Sequence, residues 1–265
     1  MNKKKLKNDL IYIFIRILVF IIRHIPRSLS LFSARILSSI FWHLFRKERA
    51  KTIRNLTDVF GDRKPVKTIA RKVFSNIAEN LVDAILLKQR LLNHPEKAMK
   101  IEGVEIAQEA LAKGRGIIFL TAHTGCFEML SPRFARIGFP LTVMGAKIYD
   151  PRLNNIIIDN RKSFNVGYIE RGDDIRALIK LLRNGGCFGV LCDLDTRVES
   201  RFVPFFGRQA KTPSGPFRLA LKTGAVPLPI FAIRNSDGTQ TAHVYESLTP
   251  EGTTEEEKIL SLMNG

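Results

Sequence analysis

The chain has 265 residues, with 42 Lys and Arg against 25 Asp and Glu, a formal charge of +17 and a pI of about 10.1. With 45% hydrophobic and 25% charged residues it lies outside the disordered class, and its length suits one large α/β domain or a domain plus an appendage. Three cysteines, Cys126, Cys187 and Cys192, form neither a paired disulfide framework nor a zinc or Cys-x-x-Cys pattern, which points to a reducing compartment and no metal. The charge is uneven: residues 1–90 hold 20 basic and 6 acidic side chains, residues 91–265 hold 22 and 19. An anionic partner is therefore expected for the first third, either a membrane surface or a nucleic acid.

After Lys3, Lys4, Lys5 and Lys7, the run Leu10–Ile22 is apolar except for Arg16. It is shorter than the roughly 20 apolar residues of a full bilayer span, so crossing and lying in the interface both stay open. Leu29 to Phe45 places Leu29, Phe32, Ile36, Ile40 and Leu44 at helical spacing, with Arg35 and His43 on the other side, the pattern of an amphipathic interfacial helix. Arg23, His24 and Pro26 stand where a signal peptide would have its small-residue cleavage site, so the segment reads as a permanent anchor. If it spans, the basic flank favours a cytoplasmic N-terminus; if it lies flat, its arginines snorkel to head groups. The basic residues are interleaved with Ile, Leu and Phe and belong to no nucleic-acid-recognition motif, so no nucleic-acid partner is expected. Residues 1–45 are accordingly read as membrane anchor and interfacial helices, and 46–265 as the α/β domain.

Arg46 to Lys51 reads as a basic linker into Thr52–Phe60, with punctuation at Gly61 and Pro65. A long helix is predicted from Val66 to about Leu91, with Val73, Ile77, Leu81 and Ile85 as its buried stripe. From residue 104 helices alternate with short apolar runs. Helices are predicted at Val104–Ala112, Cys126–Ile137, Pro151–Phe164, Asp173–Arg183 and Ser214–Thr223. Strands are predicted at Gly116–Thr121, Leu141–Gly145, Gly167–Ile169, Cys187–Cys192, Val226–Ile233 and Thr241–Tyr245. The fold class is therefore α/β, a mostly parallel central sheet flanked by helices and preceded by a hydrophobic and amphipathic membrane anchor. Ligands of such sheets sit at the carboxyl ends of the strands.

Two strand exits carry chemistry-bearing residues. After Ile117–Leu120 comes Thr121-Ala122-His123-Thr124-Gly125-Cys126-Phe127-Glu128, where a turn at Gly125 would bring a histidine base and a carboxylate together. After Phe188–Leu191 comes Cys192-Asp193-Leu194-Asp195. The run Phe202-Val203-Pro204-Phe205-Phe206-Gly207 follows, then Thr212-Pro213-Ser214-Gly215, read as capping hydroxyls at a helix N-terminus able to hold an anion or oxyanion.

Together with Tyr149-x-Pro151, Arg161 and Thr223-Gly224-Ala225, these motifs resemble the lipid A biosynthesis acyltransferases, the lauroyl and myristoyl transferases of the lysophospholipid acyltransferase superfamily. The resemblance runs from the N-terminus to about residue 235. It implies His123 as catalytic base and Glu128 as its partner, with Arg161 and Asp193 as further site residues. Cys126 and Phe127 stand where the family commonly has Asn-Trp, and Leu194 where Gln is usual. The chain also stops at Asn264-Gly265, where family members continue into further helices, so a truncated or short form is expected.

The implied reaction moves an acyl group from a thioester to a hydroxyl by general base catalysis, with the oxyanion met by amides near Gly125 or by Arg161. Acyl carrier protein or coenzyme A would bring the acyl group as co-substrate, and no cofactor is expected. Arg46, Lys47, Arg49 and Lys51 would dock an acidic carrier protein or face anionic lipid. A covalent route through Cys126 is the rival to direct transfer, and a small buried cysteine is its bland reading. The expected acceptor is a lipid A precursor or related glycolipid, at the cytoplasmic face of the inner membrane. A glycerophospholipid acyltransferase and a non-catalytic membrane lipid-binding protein are the alternatives.

Overall fold

A computed structural model describes residues 3–61, 65–146, 148–172, 175–194 and 197–265. The chain divides into residues 1–89 and 90–265, so the boundary falls well after the expected one at residue 45.

Four helices make up most of the first unit: α1 (Lys3–His24), α2 (Arg27–Leu44), α3 (Arg46–Phe60) and α4 (Val66–Ile85), with α5 (Leu87–Asn93) crossing the boundary. Pro26 separates α1 from α2, because it continues no helix backwards yet its fixed φ of −54° suits the residue before a new one. The expected basic linker is helical and opens α3, as lysine and arginine, good helix formers, allow. The predicted buried stripe of α4 holds only in part: Ile85 packs on the core and Val73 is half-buried, but Ile77 is 64% exposed and Leu81 54% exposed. The buried positions are Ala70, Glu79, Val82 and Asp83. Two carboxylates lie on that face because α2 neutralises them. Arg27 bonds both oxygens of Asp83 at 2.8 and 3.2 Å, and Arg35 bonds both of Glu79 at 2.9 and 3.4 Å. Around them pack Ile22, Leu31, Ala34, Val82 and Leu86. Arg27→Met, which leaves a fully buried carboxylate without its cation, is expected to lower stability by about 3–5 kcal/mol in urea unfolding.

No single helix among the described residues is long and apolar enough to cross a membrane, so the expected anchor gains no spanning segment. Only α2 and α3 taken together, bent by 93°, have the length and composition. What the helices do present is an uncovered apolar surface: Leu10, Phe14, Ile17 and Phe20 on α1, and Leu29, Phe32, Ile36, Ile40 and Leu44 on α2.

The second unit is built on nine strands among the described residues. In chain order they are β1 (Lys100–Glu102), β2 (Ile117–Thr121), β3 (Leu141–Gly145), β4 (Gly167–Glu170), β5 (Cys187–Leu191), β6 (Ser200–Phe205), β7 (Arg208–Pro213), β8 (Val226–Arg234) and β9 (Gln240–Val244). Seven form one sheet in the order β1-β9-β8-β2-β5-β3-β4, parallel at every pairing except β8 with β9. α6 (Pro95–Ala98) precedes them, α7 (Val104–Ala112), α8 (Leu130–Ala135), α9 (Pro151–Lys162), α10 (Ile175–Arg183) and α11 (Gly215–Thr223) run between them, and α12 (Glu255–Asn264) follows. Ile117, Ile118, Phe119 and Leu120 of the central strand are all buried, as a strand covered on both faces requires. Ile118 and Phe188 pack with Leu178, Leu182, Phe217 and Ile259 in one core. Phe119 meets Phe134 and Phe139, with ring centroids 5.2 and 5.9 Å away.

The structure departs from two local expectations and agrees with a third, a helix, as far as the described residues reach. The helix expected over Cys126–Ile137 is a single 3-10 turn, Phe127–Met129, followed by the short α8. The helix expected from Asp173 is described from Ile175 onward, and Asp173 lies outside the described residues. The segment taken as a loop after residue 192 contains the antiparallel hairpin β6–β7, closed by Phe206 at φ 49° and Gly207 at φ 73°. Two successive left-handed residues suit the twist of a tight hairpin. At the far end, α12 carries a capping box in which Glu257 accepts from the amides of Thr253 and Thr254 at 2.8 and 2.9 Å. Those amides hold the Glu257 carboxyl down at about 2, below its ordinary 4.5. A depressed carboxylate stabilises above its unfolded pKa, so this contribution is complete above about 4.5 and lost as pH falls towards about 2. Glu257→Gln should therefore show a shallower loss of stability in urea titrations across that acid range.

Candidate active site

β2 and β5 run side by side with Thr121 opposite Leu191, so their carboxyl ends deliver Ala122-His123 and Cys192-Asp193 to one edge of the sheet. The ladder continues one step, the Cys192 N–H donating to the Thr121 carbonyl at 2.9 Å. The next step is made by a side chain. The His123 N–H donates to Asp193 Oδ2 at 2.9 Å, and the ring Nδ1 lies 2.8 Å from Oδ1. One carboxylate thus fixes both the backbone and the ring of His123. With Asp193 ionised, Nδ1 carries the hydrogen and Nε2 keeps its lone pair. Phe127 sets its edge against the imidazole at 4.8 Å, and both His123 and Asp193 remain about a third open to solvent, at 38% and 35%.

The expected His123–Glu128 pairing is not formed. Glu128 stands on the 3-10 turn and accepts from Arg161 Nη2 at 3.0 and 3.2 Å. Arg161, from the last turn of α9, is 13% exposed and lies 5.6 Å over the Tyr168 ring. Gly145 makes room for this stack, since a Cβ there would lie 2.8 Å from Tyr168 and 3.2 Å from Arg161 Nη1. The strand exits therefore carry a hydrogen-bonded imidazole–carboxylate pair and an Arg–carboxylate ion pair instead of one dyad. The structure brings His123 and Asp193 together, and Glu128 and Arg161 together. Asp195 lies outside the described residues.

Gly125 shapes the loop that presents His123. Its φ is +49°, and an added Cβ would sit 2.5 Å from the Ala232 carbonyl oxygen and 3.0 Å from Gln240 Oε1. That Gln240 oxygen, on a side chain 1% exposed, accepts from the Cys126 N–H at 3.2 Å. The Gly125 N–H has no acceptor among the described residues. No pattern in the sequence marks Gln240, Tyr168 or Gly145 for these roles. Only their packing shows them.

The Thr212-Pro213-Ser214-Gly215 segment does not supply the expected capping hydroxyls. Thr212 belongs to β7, and its hydroxyl donates to the Ala210 carbonyl at 3.4 Å. Ser214 is fully buried and donates to the Glu199 carbonyl at 3.2 Å, tying the hairpin to α11. Arg218 clasps the Glu199 carboxylate at 2.6 and 2.7 Å in the same cluster. These residues brace the fold.

Burial raises the Cys187 thiol to about 12, and burial followed by the Asp193 charge does the same for Cys192. Cys126 is 2% exposed. All three are expected to resist iodoacetamide at neutral pH in the folded protein and to react after urea unfolding, as counted by intact mass.

Two cavities adjoin the strand exits on opposite faces of the sheet. A narrow one of about 50 Å³ lies beside Glu128 and Arg161. Along it, Thr121 Oγ1 and Arg161 Nε are buried without a hydrogen-bond partner among the described residues. The larger, about 300 Å³, is lined by Ile169, Ile175, Leu178, Val190, Leu191 and Leu219. It reaches the lower end of the range for ligand pockets, about 300–1,000 Å³. No cluster of three metal-ligating side chains occurs among the described residues.

The sequence pattern of the bacterial lipid A biosynthesis acyltransferases matches residues 2–265. The chain is 25% identical over 202 residues to a lipid A biosynthesis acyltransferase of Haemophilus influenzae, covering 74% of this chain and 62% of that one. It is 26% identical over 204 residues to the lipid A biosynthesis lauroyltransferase of Escherichia coli, covering 73% and 64%. A phosphatidylinositol mannoside acyltransferase of Mycobacterium tuberculosis is 27% identical over 146 residues, covering 52% and 46%. The chain spans less than two thirds of the length of these relatives.

Proposed function

Because the chain belongs to the bacterial lipid A biosynthesis acyltransferase family, we propose that it moves a fatty acyl group from a thioester to a hydroxyl of a lipid A precursor or related glycolipid. The observation that carries this reading is the His123–Asp193 pair at a solvent-reachable strand exit. A lipid hydroxyl is a poor nucleophile at neutral pH and must lose its proton as it attacks.

In this mechanism His123 Nε2 takes the hydroxyl proton while the oxygen bonds to the thioester carbonyl carbon. Asp193 stabilises the imidazolium that results and keeps it oriented. The carbonyl oxygen becomes an oxyanion, for which the Gly125 N–H, two residues from His123 and without an acceptor among the described residues, is the proposed donor; Arg161 Nη2 is engaged by Glu128. Collapse breaks the carbon–sulfur bond, and the thiolate takes the proton back from the imidazolium. The apolar cavity that reaches Leu191, two residues before Asp193, is the compartment for the acyl chain. The burial of Cys126 favours direct transfer over a thiol intermediate.

The donor is acyl carrier protein or coenzyme A, with the exposed Arg46, Lys47 and Lys51 as a surface for an acidic carrier. The uncovered apolar faces of α1 and α2, with the basic excess of residues 1–90, support work at an anionic membrane surface, at the cytoplasmic face of the inner membrane. Relatives named for lipid A and for phosphatidylinositol mannoside favour a sugar-bearing acceptor over a simple glycerophospholipid.

The test offers labelled acyl carrier protein and acyl-coenzyme A to the protein with a lipid A precursor, a lysophospholipid and total membrane lipid, and His123→Ala as control. Ester-linked label in a glycolipid, reduced by about 10²–10⁴-fold in His123→Ala, is expected. No transfer to any lipid by folded protein would leave the non-catalytic lipid-binding reading.

A further inference from the structure

In the first unit a polar cleft of about 410 Å³ opens between α2 and α4, bordered by Ser39, Trp42 and His43 on one side and Thr68, Arg71 and Lys72 on the other. Trp42, 3% exposed, is its floor. The Arg71 guanidinium lies 5.6 Å over the indole and that of Arg49 lies 5.7 Å from it, with Arg49 also donating to the Trp42 carbonyl at 3.1 Å. Stacking on an aromatic face holds a guanidinium in place while leaving its N–H groups usable. Arg35, at the edge of the cleft, is already paired with Glu79, whose Oε1 also accepts from Ser75. That acid is therefore neutralised. Arg71 and Lys72 have no acidic partner among the described residues, and the Ser39 and Thr68 hydroxyls make no side-chain hydrogen bond there. Two cations and two hydroxyls around one concavity are the donor set for a phosphate.

The position of the cleft says which phosphate. Ser39 and His43 follow the exposed Ile36 and Ile40 of α2 by three residues each, so the polar rim adjoins the apolar stripe on the same helix surface. A free anion makes no use of that stripe. An amphiphile satisfies both. The geometry points to a lipid-headgroup site in which Arg71, Lys72, Ser39 and Thr68 hold the phosphate while Phe32, Ile36 and Ile40 meet the acyl region. This inference rests on the membrane-surface reading above and adds to it a specific headgroup contact.

The experiment measures co-sedimentation of the full chain with phosphatidylcholine vesicles, plain, doped with phosphatidic acid, or doped with oleate to the same surface charge. The wild type is expected to prefer phosphatidic acid over oleate. Arg71→Gln with Lys72→Ala should weaken phosphatidic acid binding by roughly thirtyfold, about fivefold per cation, leaving oleate binding nearly unchanged. Lys113→Ala with Lys222→Ala, which removes two exposed charges elsewhere, should change it less than about twofold. Lys72→Ala alone, with circular dichroism as the folding check, serves if the double variant fails to fold. Equal binding to phosphatidic acid and oleate, or an equal loss in the two double variants, overturns the cleft while the membrane reading stands. No binding to any vesicle overturns both. Competition by inorganic phosphate as strong as by phosphatidic acid vesicles identifies a free-anion site and overturns the lipid assignment. A weakened hold on an acidic carrier protein with vesicle binding intact overturns it as well.

Discussion

Asp193→Asn is expected to lower turnover by about 10⁴-fold, the scale on which an orienting aspartate acts in a Ser-His-Asp triad. The reason is specific to this geometry. Asp193 accepts two hydrogen bonds from one residue, the His123 N–H on Oδ2 and the ring Nδ1 side on Oδ1. An asparagine has a single oxygen. If that oxygen stays on the backbone amide, its NH₂ faces Nδ1 and drives the imidazole to the tautomer with hydrogen on Nε2, which is no base. If it flips, the backbone amide loses its acceptor and the loop loses its register. Glu128→Gln leaves the imidazole contacts in place and removes the negative charge beside Arg161, which is 13% exposed. It should lower the melting temperature and raise KM while keeping most of the turnover. Rates and melting temperatures of the two variants, measured side by side, separate the roles of the two carboxylates.

Gly125→Ala is expected to cost about 2–6 kcal/mol of stability, adding the strain of a left-handed alanine to overpacking against fixed backbone. The new methyl would lie 2.5 Å from the Ala232 oxygen and 2.7 Å from its carbon, atoms of the sheet itself. The loop between His123 and Cys126 must therefore move, and with it the hydrogen bond from the Cys126 amide to the buried Gln240. Activity should fall further than the unfolded fraction explains, because the shift displaces His123 from Asp193. Urea unfolding and transfer rates on the same preparation test this; a stability change below about 1 kcal/mol would contradict the packing described.

The alternation of helices and short apolar runs from residue 104 carried the sheet, since parallel strands buried on both faces leave unbroken runs such as Ile117–Leu120. It also carried both strand exits, and with them His123 and Asp193. The pairing of these two residues was not legible. They are 70 residues apart and meet only because β2 and β5 are neighbours, whereas Glu128 stands five residues from His123 and is the acid a linear reading finds. In α4, apolar spacing pointed to Ile77 and Leu81, while the face that packs carries Glu79 and Asp83, made buriable by Arg35 and Arg27 of another helix. The β6–β7 hairpin leaves no strand pattern in the sequence because Pro204 and three phenylalanines break the alternation of a half-buried strand. The first two share one origin: a partner distant in sequence changed what a residue could do.

The proposed chemistry requires that Asp193 hold His123 with Nδ1 protonated and Nε2 bare. Nitrogen NMR of protein labelled in its histidine rings, with His123 assigned by comparison with His123→Ala, reads that tautomer directly. The predicted spectrum has a protonated Nδ1 and an unprotonated Nε2 for His123 at neutral pH, lost in Asp193→Asn and retained in Glu128→Gln. A His123 ring protonated on Nε2, or one that responds to Glu128→Gln and ignores Asp193→Asn, would contradict it.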